Sequence, residues 1–286
     1  MTKKYIIFGD GDCCGFGNQM RSFWGWARLA TLLDRELIIT NSLMNTLFKL
    51  RGSSKIPEGS VINCIPRGCP KTEKKTHFHS LDLINLQEDK LIGGGPEPML
   101  NYVQTHPNFS KIKHPKEPDL IRGLSKDYIE GLTPTFSNHM ETFKNAHGQY
   151  GAIQFRSFFD YHFHKLPQLE EFLKKFSQAH EKFPEIKTIF ITTDSLGISF
   201  FIKYHLRAIH PSLNFTVSNW PQCPCCGDFS VRHTNFKPST NKNNAVITLK
   251  DWSLLTGASY LYSNGASFGD AAAQTFDIPH VNFNRL

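Results

Sequence analysis

The second half of the chain alternates short apolar segments with longer segments of helical period, and this rhythm limits the fold most strongly. Apolar segments of strand type occur at residues 151–155 (GAIQF), 187–193 (KTIFITT) and 214–217 (NFTV), and again at 259–263 and 280–283. Helical segments lie between them. Because parallel strands need a crossover connection, usually a helix, this order predicts an α/β fold whose parallel sheet is covered on both faces.

The first half begins with the same pattern around a glycine-rich turn. A strand at residues 5–8 runs into the turn GDGDCCGFG and a helix at 18–33, followed by a strand at 36–40 and a helix at 43–50. In the first helix, apolar side chains recur at helical spacing on one stripe. The stripe predicts that this helix packs on the strands.

The middle of the chain is less regular. Residues 66–118 are rich in Pro, Lys, His and Gly and are interpreted as loops with short elements. A helix is predicted at 126–146, and the strand-helix rhythm then restarts after Gly148. We therefore expect two domains, 1–148 and 149–286, each of ordinary domain size.

Composition excludes several classes of protein. The 286-residue chain carries a formal charge of +7, which favours an anionic ligand, but its basic runs are no longer than KTEKK, so nucleic-acid binding is not expected. No run of about 18 apolar residues occurs, and the apolar start is too short for a signal peptide, so no membrane segment is expected. The seven cysteines lack framework spacing and indicate a cytoplasmic protein with reduced thiols.

Two groups of cysteines invite a metal or redox interpretation that the spacing does not favour. Cys13 and Cys14 lie inside the glycine turn, where small loop side chains are the simpler interpretation. The other group does not match a standard zinc motif, so no metal site is predicted there. It comprises Cys223, Cys225, Cys226 and His233.

The glycine turn itself is typical of phosphate binding, because glycines let the backbone approach a ligand and the following helix directs its N–H groups toward it. A nicotinamide cofactor is one interpretation. The enzymes with this glycine spacing also need a Tyr-xxx-Lys pair, and a single pair with this spacing, Tyr161 and Lys165, occurs in the chain. The second strand ends at Thr40 and Asn41 rather than at an acidic ribose partner. An NADP-dependent reductase therefore stays a remote alternative.

The segment GFGNQMRSFWGWARLATLLDREL (residues 15–37) resembles the opening motif of the fucosyltransferase superfamily. GFGNQ is similar to the opening of protein O-fucosyltransferases, and GNQM to that of α1,2-fucosyltransferases. The resemblance implies donor contacts by Gly15, Phe16, Gly17 and Arg21, and a catalytic role for Asn18. That Asn18 merely caps the helix is the alternative from the residues alone.

Two strand ends continue the resemblance in the family's order. GAIQFRSFFD resembles the H-x-R strand end, with Arg156 on the donor's β-phosphate, Gln154 in place of the usual His, and Asp160 four residues on. A planar guanidinium suits bidentate phosphate binding. IFITTDS is similar to the family's TDS strand end, which adds Asp194 and Ser195 to the donor site.

A last motif lies near the C-terminus. LKDWSLLTGASYLYSNGASFGDAAA (residues 249–273) resembles the family's final donor motif. By this resemblance Asp251 faces the guanosine, and a helix start at Ser267, Phe268 and Gly269 presents a hydroxyl and N–H groups to the phosphates.

The resemblance implies a GT-B fold, two Rossmann-like domains facing across a cleft, with GDP-fucose on the C-terminal domain and the acceptor on the N-terminal one. It implies inverting transfer of fucose to a glycan or protein hydroxyl, with no metal and no cofactor beyond the donor. Base candidates are Asp12, Asp160 and His164, although Asp160 is better interpreted as an orienting partner of Arg156. Without a base, Asn18 would assist a dissociative reaction.

Three alternatives stay open at this point: transfer from another GDP-sugar or a UDP-sugar, a non-catalytic relative that binds a nucleotide or a glycan, and the remote reductase. A nucleotide sugar and a glycan or glycoprotein acceptor are the expected partners. The sequence does not indicate the acceptor.

Overall fold

The computed structural model describes residues 4–9, 15–52, 55, 62–64, 90–93, 99–156, 166–218 and 242–285. The chain divides into two compact units, with the division after Thr133.

The first unit is built on parallel strands in the order β2-β1-β5-β4. A short antiparallel pair, β3 with β6, lies outside that sheet. Its elements are β1 (Tyr5–Phe8), α1 (Phe16–Leu32), β2 (Glu36–Ile39), α2 (Ser42–Leu47), β3 (Phe48–Leu50), β4 (Ile62–Cys64), β5 (Lys90–Gly93), α3 (Met99–Thr105), α4 (Glu117–Tyr128) and β6 (Ile129–Leu132).

Helix α1 is the central element of this unit. Its predicted apolar stripe is buried, with Met20, Phe23 and Trp24 at most 1% exposed. The helix contacts β1 and β2 on one side and α3 and α4 on the other, which explains why residues all round it are buried. The Trp24 indole N–H donates to the Ser125 hydroxyl of α4 at 3.2 Å.

Two helix predictions in this part were wrong. The helix expected at 126–146 is interrupted, because Gly131 has a φ of 154° and Pro134 begins a new helix rather than continuing one. The helix expected at 43–50 ends at Leu47, and residues 48–50 pair with β6 instead. Local sequence favoured helix at 43–50, but pairing with a distant strand decided the conformation.

The second unit contains a five-stranded sheet in the order β11-β10-β7-β8-β9, with every neighbouring pair parallel. The predicted parallel sheet is thus confirmed. Its elements are α5 (Pro134–His147), β7 (Tyr150–Phe155), α6 (Leu166–His180), β8 (Thr188–Thr193), α7 (Leu196–Ile209), β9 (Asn214–Val217), α8 (Lys242–Thr256), β10 (Tyr260–Ser263), α9 (Ser267–Phe276), β11 (His280–Asn282) and a 3-10 helix (Phe283–Arg285).

The sheet of the second unit is covered on both faces, which explains its continuous apolar strands. Every residue of β7 and β8 is buried. One face packs on α6 and α7 through side chains such as Phe172 and Ile202. Phe143 of α5 contacts Phe190 on the other face at 5.6 Å between ring centroids.

Helix α5 belongs to the second unit, since it packs on this sheet and on α8. The predicted domain boundary at residue 148 would have placed it in the first. The division therefore lies before α5, where Pro134 starts the helix. The strands of the second unit all point the same way, so their carboxyl ends share one edge of the sheet, where ligands bind in open α/β folds.

Candidate functional site

Arg156 and Asp194 meet at the carboxyl edge of the second sheet. Arg156 follows β7, Asp194 follows β8, and the two strands are neighbours. The Arg156 Nε lies 3.2 Å from Asp194 Oδ2, with the carboxylate side chain 4% exposed and the arginine side chain 28% exposed. A buried carboxylate thus holds a guanidinium that still reaches solvent, as a guanidinium that binds a phosphate needs to be held.

The backbone of Arg156 is held from the other neighbouring strand. Asn264 follows β10, and its side-chain amide bonds both main-chain groups of Arg156 at 3.0 and 2.9 Å. Sequence analysis missed Asn264, and the signal that could have found it is an amide residue placed between a strand and a glycine.

Gln154 lies two residues before Arg156, on β7, and is covered by the start of α9. It is 3% exposed, and its Oε1 is buried without a hydrogen-bond partner. A Cβ built on Gly269 would lie 2.9 Å from that oxygen, so glycine lets the first turn of α9 approach the strand.

Helix α9 begins with the predicted residues Ser267, Phe268 and Gly269. The first N–H groups of a helix have no acceptor within it, and here the N-cap residue Ala266 offers no side-chain acceptor. The start of α9 follows β10 directly and therefore lies at the same edge as Arg156. Free N–H groups at a helix start are able to bind an anion, and the first turn of α9 also carries the acidic Asp270.

Asp251 is buried in α8, at 4% exposure, under the ends of β8 and β9. Its Oδ2 accepts from the Thr192 hydroxyl at 2.8 Å, and its Oδ1 accepts from the Ser218 hydroxyl at 2.6 Å. The two hydroxyls fix the orientation of the carboxylate, and sequence analysis missed both. The neighbouring Trp252 donates from its indole N–H to the Phe268 carbonyl at 3.2 Å, which ties α8 to the start of α9.

Ser195 occupies the N-cap position of α7 without a side-chain capping bond. The residue is fully buried and its hydroxyl has no partner. Its backbone N–H donates instead to the Thr193 hydroxyl at 3.0 Å. The TDS segment therefore fixes the turn that carries Asp194, while the Ser195 hydroxyl itself is not exposed.

In the first unit, helix α1 does not begin with Asn18 as its N-cap residue, which was one of the two interpretations of the glycine segment. Gly15 is the N-cap residue, and its carbonyl accepts from the N–H groups of Asn18 and Gln19 at 3.0 and 3.2 Å. Asn18 thus lies inside the first turn and is not the cap. Its side-chain Oδ1 is buried without a partner.

The other predicted residues of this segment differ in exposure. Phe16 is 1% exposed and packs on Phe48 with ring centroids 6.3 Å apart, so its side chain belongs to the core. Gly17 is buried, and Arg21 is half-buried one turn after Asn18.

A buried amide network supports the same segment. Asn41, fully buried, caps α2 through the Met44 N–H at 3.0 Å. Its amide nitrogen donates to Gln19 Oε1 at 3.0 Å and to the Gly9 carbonyl at 3.3 Å. Asn41 therefore joins the end of β1 to α1, a role that sequence analysis did not anticipate.

Several predicted residues lie outside the described residues: Asp12, Asp160, His164, Cys13, Cys14, Cys223, Cys225, Cys226 and His233. Within the described ranges, no group of three or more His, Cys, Asp and Glu side chains is arranged to hold a metal ion. None of the helices in the described part of the chain combines the length and the apolar character needed to cross a membrane.

Both units are parallel α/β layers, the class of architecture that pairs in tandem Rossmann-like folds. The chain is similar in fold to solved fucosyltransferases. A mutant of FUT1 from Arabidopsis thaliana in complex with GDP matches with a TM-score of 0.63 at 14% identity, over 97% of this chain and 70% of that one.

Two further fucosyltransferases match over almost their whole length. NodZ from Bradyrhizobium matches with a TM-score of 0.62 at 10% identity, over 100% of this chain and 97% of that one. POFUT1 in complex with GDP-fucose matches with a TM-score of 0.54 at 12% identity, over 99% of this chain and 98% of that one. The predicted GT-B fold class is thereby confirmed. No protein-family model and no curated protein sequence matches the chain.

Proposed function

We propose that this protein is an inverting glycosyltransferase that transfers fucose from GDP-fucose to a hydroxyl of a glycan or glycoprotein. The observation that carries the proposal is the carboxyl edge of the second sheet. There the partly exposed Arg156, held by Asp194, lies at the end of the strand next to the one that leads into α9. The fold similarity to fucosyltransferases solved with GDP or GDP-fucose supports this choice.

The chemistry of a sugar nucleotide fits these groups. Negative charge builds on the β-phosphate as the bond to the sugar breaks, and a guanidinium with the N–H groups of a helix start stabilises such charge. Arg156 and the first turn of α9 would supply this stabilisation. In this proposal the protein groups serve the diphosphate without a metal ion.

Asp251 would select the nucleobase of the donor. Guanine presents two adjacent N–H donors, and the carboxylate oriented by Thr192 and Ser218 is a group that only accepts hydrogen bonds. Burial of the carboxylate strengthens such a bond, because little water competes for it.

The first unit would bind the acceptor. By the family resemblance Asn18 would assist departure of the diphosphate, a role that its amide nitrogen, as the donor group, would have to perform. The proton of the acceptor hydroxyl would pass to Asp12 or His164, or to an oxygen of the departing diphosphate if the reaction is dissociative and uses no protein base. We keep Asp160 as the orienting partner of Arg156.

We also propose a cytoplasmic location, on the grounds that the seven cysteines lack the spacing of a disulfide framework. Gln154 stands where the family has a histidine, so the nucleotide contact made by that histidine is not carried over to this chain.

A nucleotide panel followed by a product assay tests the proposal. GDP is expected to raise the melting temperature of the wild-type protein, and to do so less in Arg156→Ala, while UDP and NADP leave it unchanged. Mass spectrometry with GDP-fucose and a set of sugar acceptors should then show a fucosylated product. A shift with UDP or NADP alone would replace the donor, and GDP binding without turnover would indicate a non-catalytic relative.

A further inference from the structure

Asn264 bonds the backbone of Arg156 as if it extended the sheet by one residue. The β10–β7 ladder ends with Ser263 opposite Gln154. At the next position the Asn264 side chain takes over: its Oδ1 accepts from the Arg156 N–H at 3.0 Å, and its Nδ2 donates to the Arg156 carbonyl at 2.9 Å. An amide carries one acceptor and one donor group, which matches the two main-chain groups of a strand residue.

Asn264 is itself held in place. Its own carbonyl accepts from the Asn284 side chain at 2.9 Å. The next residue, Gly265, has a φ of 75°, and its N–H donates to the Ser263 hydroxyl at 3.1 Å. A Cβ at Gly265 would lie 2.9 Å from the Asn282 amide nitrogen, so the turn that aims Asn264 at β7 requires glycine.

Arg156 is therefore fixed at two places from two neighbouring strands. Asn264 fixes its main chain from β10, and Asp194 fixes its guanidinium from the β8 side, at 3.2 Å from Nε. We propose that Asn264 is a positioning residue, whose function is to set the place of the Arg156 guanidinium at the β-phosphate of the donor. This inference rests on the proposed function.

The physical reason is the steep dependence of catalysis on placement. A shift of about 1 Å in a group that stabilises the transition state costs about 100-fold in rate. Arg156 directly follows β7 and lies beyond the last paired position of the β10–β7 register, which joins Ser263 and Gln154. The Asn264 amide supplies the constraint that a ladder would give.

A double-mutant cycle with Arg156 tests this role. Asn264→Ala is expected to lower kcat for transfer from GDP-fucose about tenfold or more in the wild-type background, and by less than about twofold in Arg156→Ala, because its effect passes through Arg156. Asn264→Ser keeps one hydroxyl for one of the two bonds, so its loss should be intermediate. The KM for GDP-fucose should change less than kcat, since the donor keeps its other contacts.

The matched control is Asn214→Ala, an exposed asparagine that begins β9 at the opposite end of the same sheet. It should change neither parameter. The same cycle is measured in GDP affinity by calorimetry, which reports on Arg156 even where turnover is too slow to follow. Cooperative thermal unfolding of each variant shows that it is folded.

Three results would overturn the inference. Equal losses from Asn264→Ala with and without Arg156 would make Asn264 a structural residue only. Unchanged kcat in Asn264→Ala would show that Arg156 needs no such support. A wild-type protein that neither binds GDP nor transfers fucose would instead defeat the proposed function, and the role of Asn264 with it.

Discussion

The two ends of the second sheet are built in different ways. At the carboxyl ends of the strands, Gln154 and Ser195 each keep a buried polar atom without a hydrogen-bond partner, and Arg156 stays partly exposed. At the amino ends, polar side chains are paired with each other. His180 Nδ1 lies 3.0 Å from the Tyr260 hydroxyl, and His210 Nε2 lies 2.9 Å from the Ser177 hydroxyl.

Aromatic packing reinforces the amino end. Tyr260 stacks on Phe183 with centroids 4.3 Å apart, and Phe176 stacks on His180 at 5.7 Å. A buried polar atom without a partner costs free energy, and such atoms are retained where a ligand or a mechanism uses them. This difference is the one expected if the amino end contributes mainly stability and the carboxyl end binds the donor, as proposed above.

The largest expected effect is a loss of stability at the amino end. Tyr260→Ala removes a side chain that is fully buried, stacked and hydrogen-bonded, and should lower the free energy of unfolding by about 3–5 kcal/mol. Chemical denaturation measures the loss. The affinity of the folded variant for GDP should stay at the wild-type value, because Tyr260 begins its strand and the site lies where the strands end.

Tyr260→Phe is the matched control, since it removes only the hydroxyl bonded to His180 and should cost about 1 kcal/mol. A large drop in GDP affinity in either folded variant would show that the two ends are not independent.

The second effect concerns the base-binding part of the carboxyl edge. Asp251→Asn keeps the shape of the side chain but replaces one acceptor oxygen by a donor, opposite the hydroxyls of Thr192 and Ser218. We expect about tenfold weaker GDP binding and about 1–2 kcal/mol less stability. Calorimetry with GDP and denaturation give the two values.

Thr192→Val separates the two contributions, because it removes one hydrogen bond to Asp251 and leaves the carboxylate in place. It should retain most of the GDP affinity. Unchanged GDP affinity in Asp251→Asn would remove Asp251 from the base-binding site.

The smallest effect is a pH dependence of stability that originates at the amino end. Burial lowers the pKa of His180 from the ordinary value of 6.5, with further lowering by His210 and Lys187 and an opposing effect of Glu185. Burial also lowers the pKa of His210. The unfolded chain therefore binds protons at a higher pH than the folded protein, so stability is fully present above about pH 6.5 and declines as the pH falls below it.

Denaturation of the wild-type protein and of His180→Gln at pH 7.5 and pH 5 measures this contribution. The decline between the two pH values should be smaller in the variant. An equal decline in both proteins would assign the acid sensitivity to other groups.

The sequence predicted the parallel sheet of the second unit well, because its β-branched strands and amphipathic helices each carry a local signal. It also placed Arg156 and Asp194 at strand ends, and the structure brings them together. The helix predicted at 126–146 failed because the chain is interrupted at Gly131 and Pro134, and because residues 129–132 pair with β3 across the intervening chain. No local pattern reports such a long-range partner.

The supporting side chains of the site were missed for the same reason. Asn264 acts on a residue 108 positions away, and Asn41 bonds Gln19 from 22 positions away. Asparagine is a common turn residue after a strand. The residue type alone therefore does not distinguish a turn residue from one that positions a group of the site. The alternative in which Asn18 caps the helix does not hold, because the Gly15 backbone starts α1 without a side-chain cap.

The most direct measurement is the turnover of GDP-fucose by Arg156→Ala beside the wild-type protein, at saturating donor and acceptor. If the carboxyl edge of the second sheet stabilises the departing diphosphate, kcat falls at least about 30-fold, which corresponds to at least about 2 kcal/mol of transition-state stabilisation. The variant should unfold cooperatively near the wild-type temperature, since the replaced side chain is partly exposed. Near-wild-type turnover in a folded Arg156→Ala protein would contradict the assignment of this edge as the catalytic site.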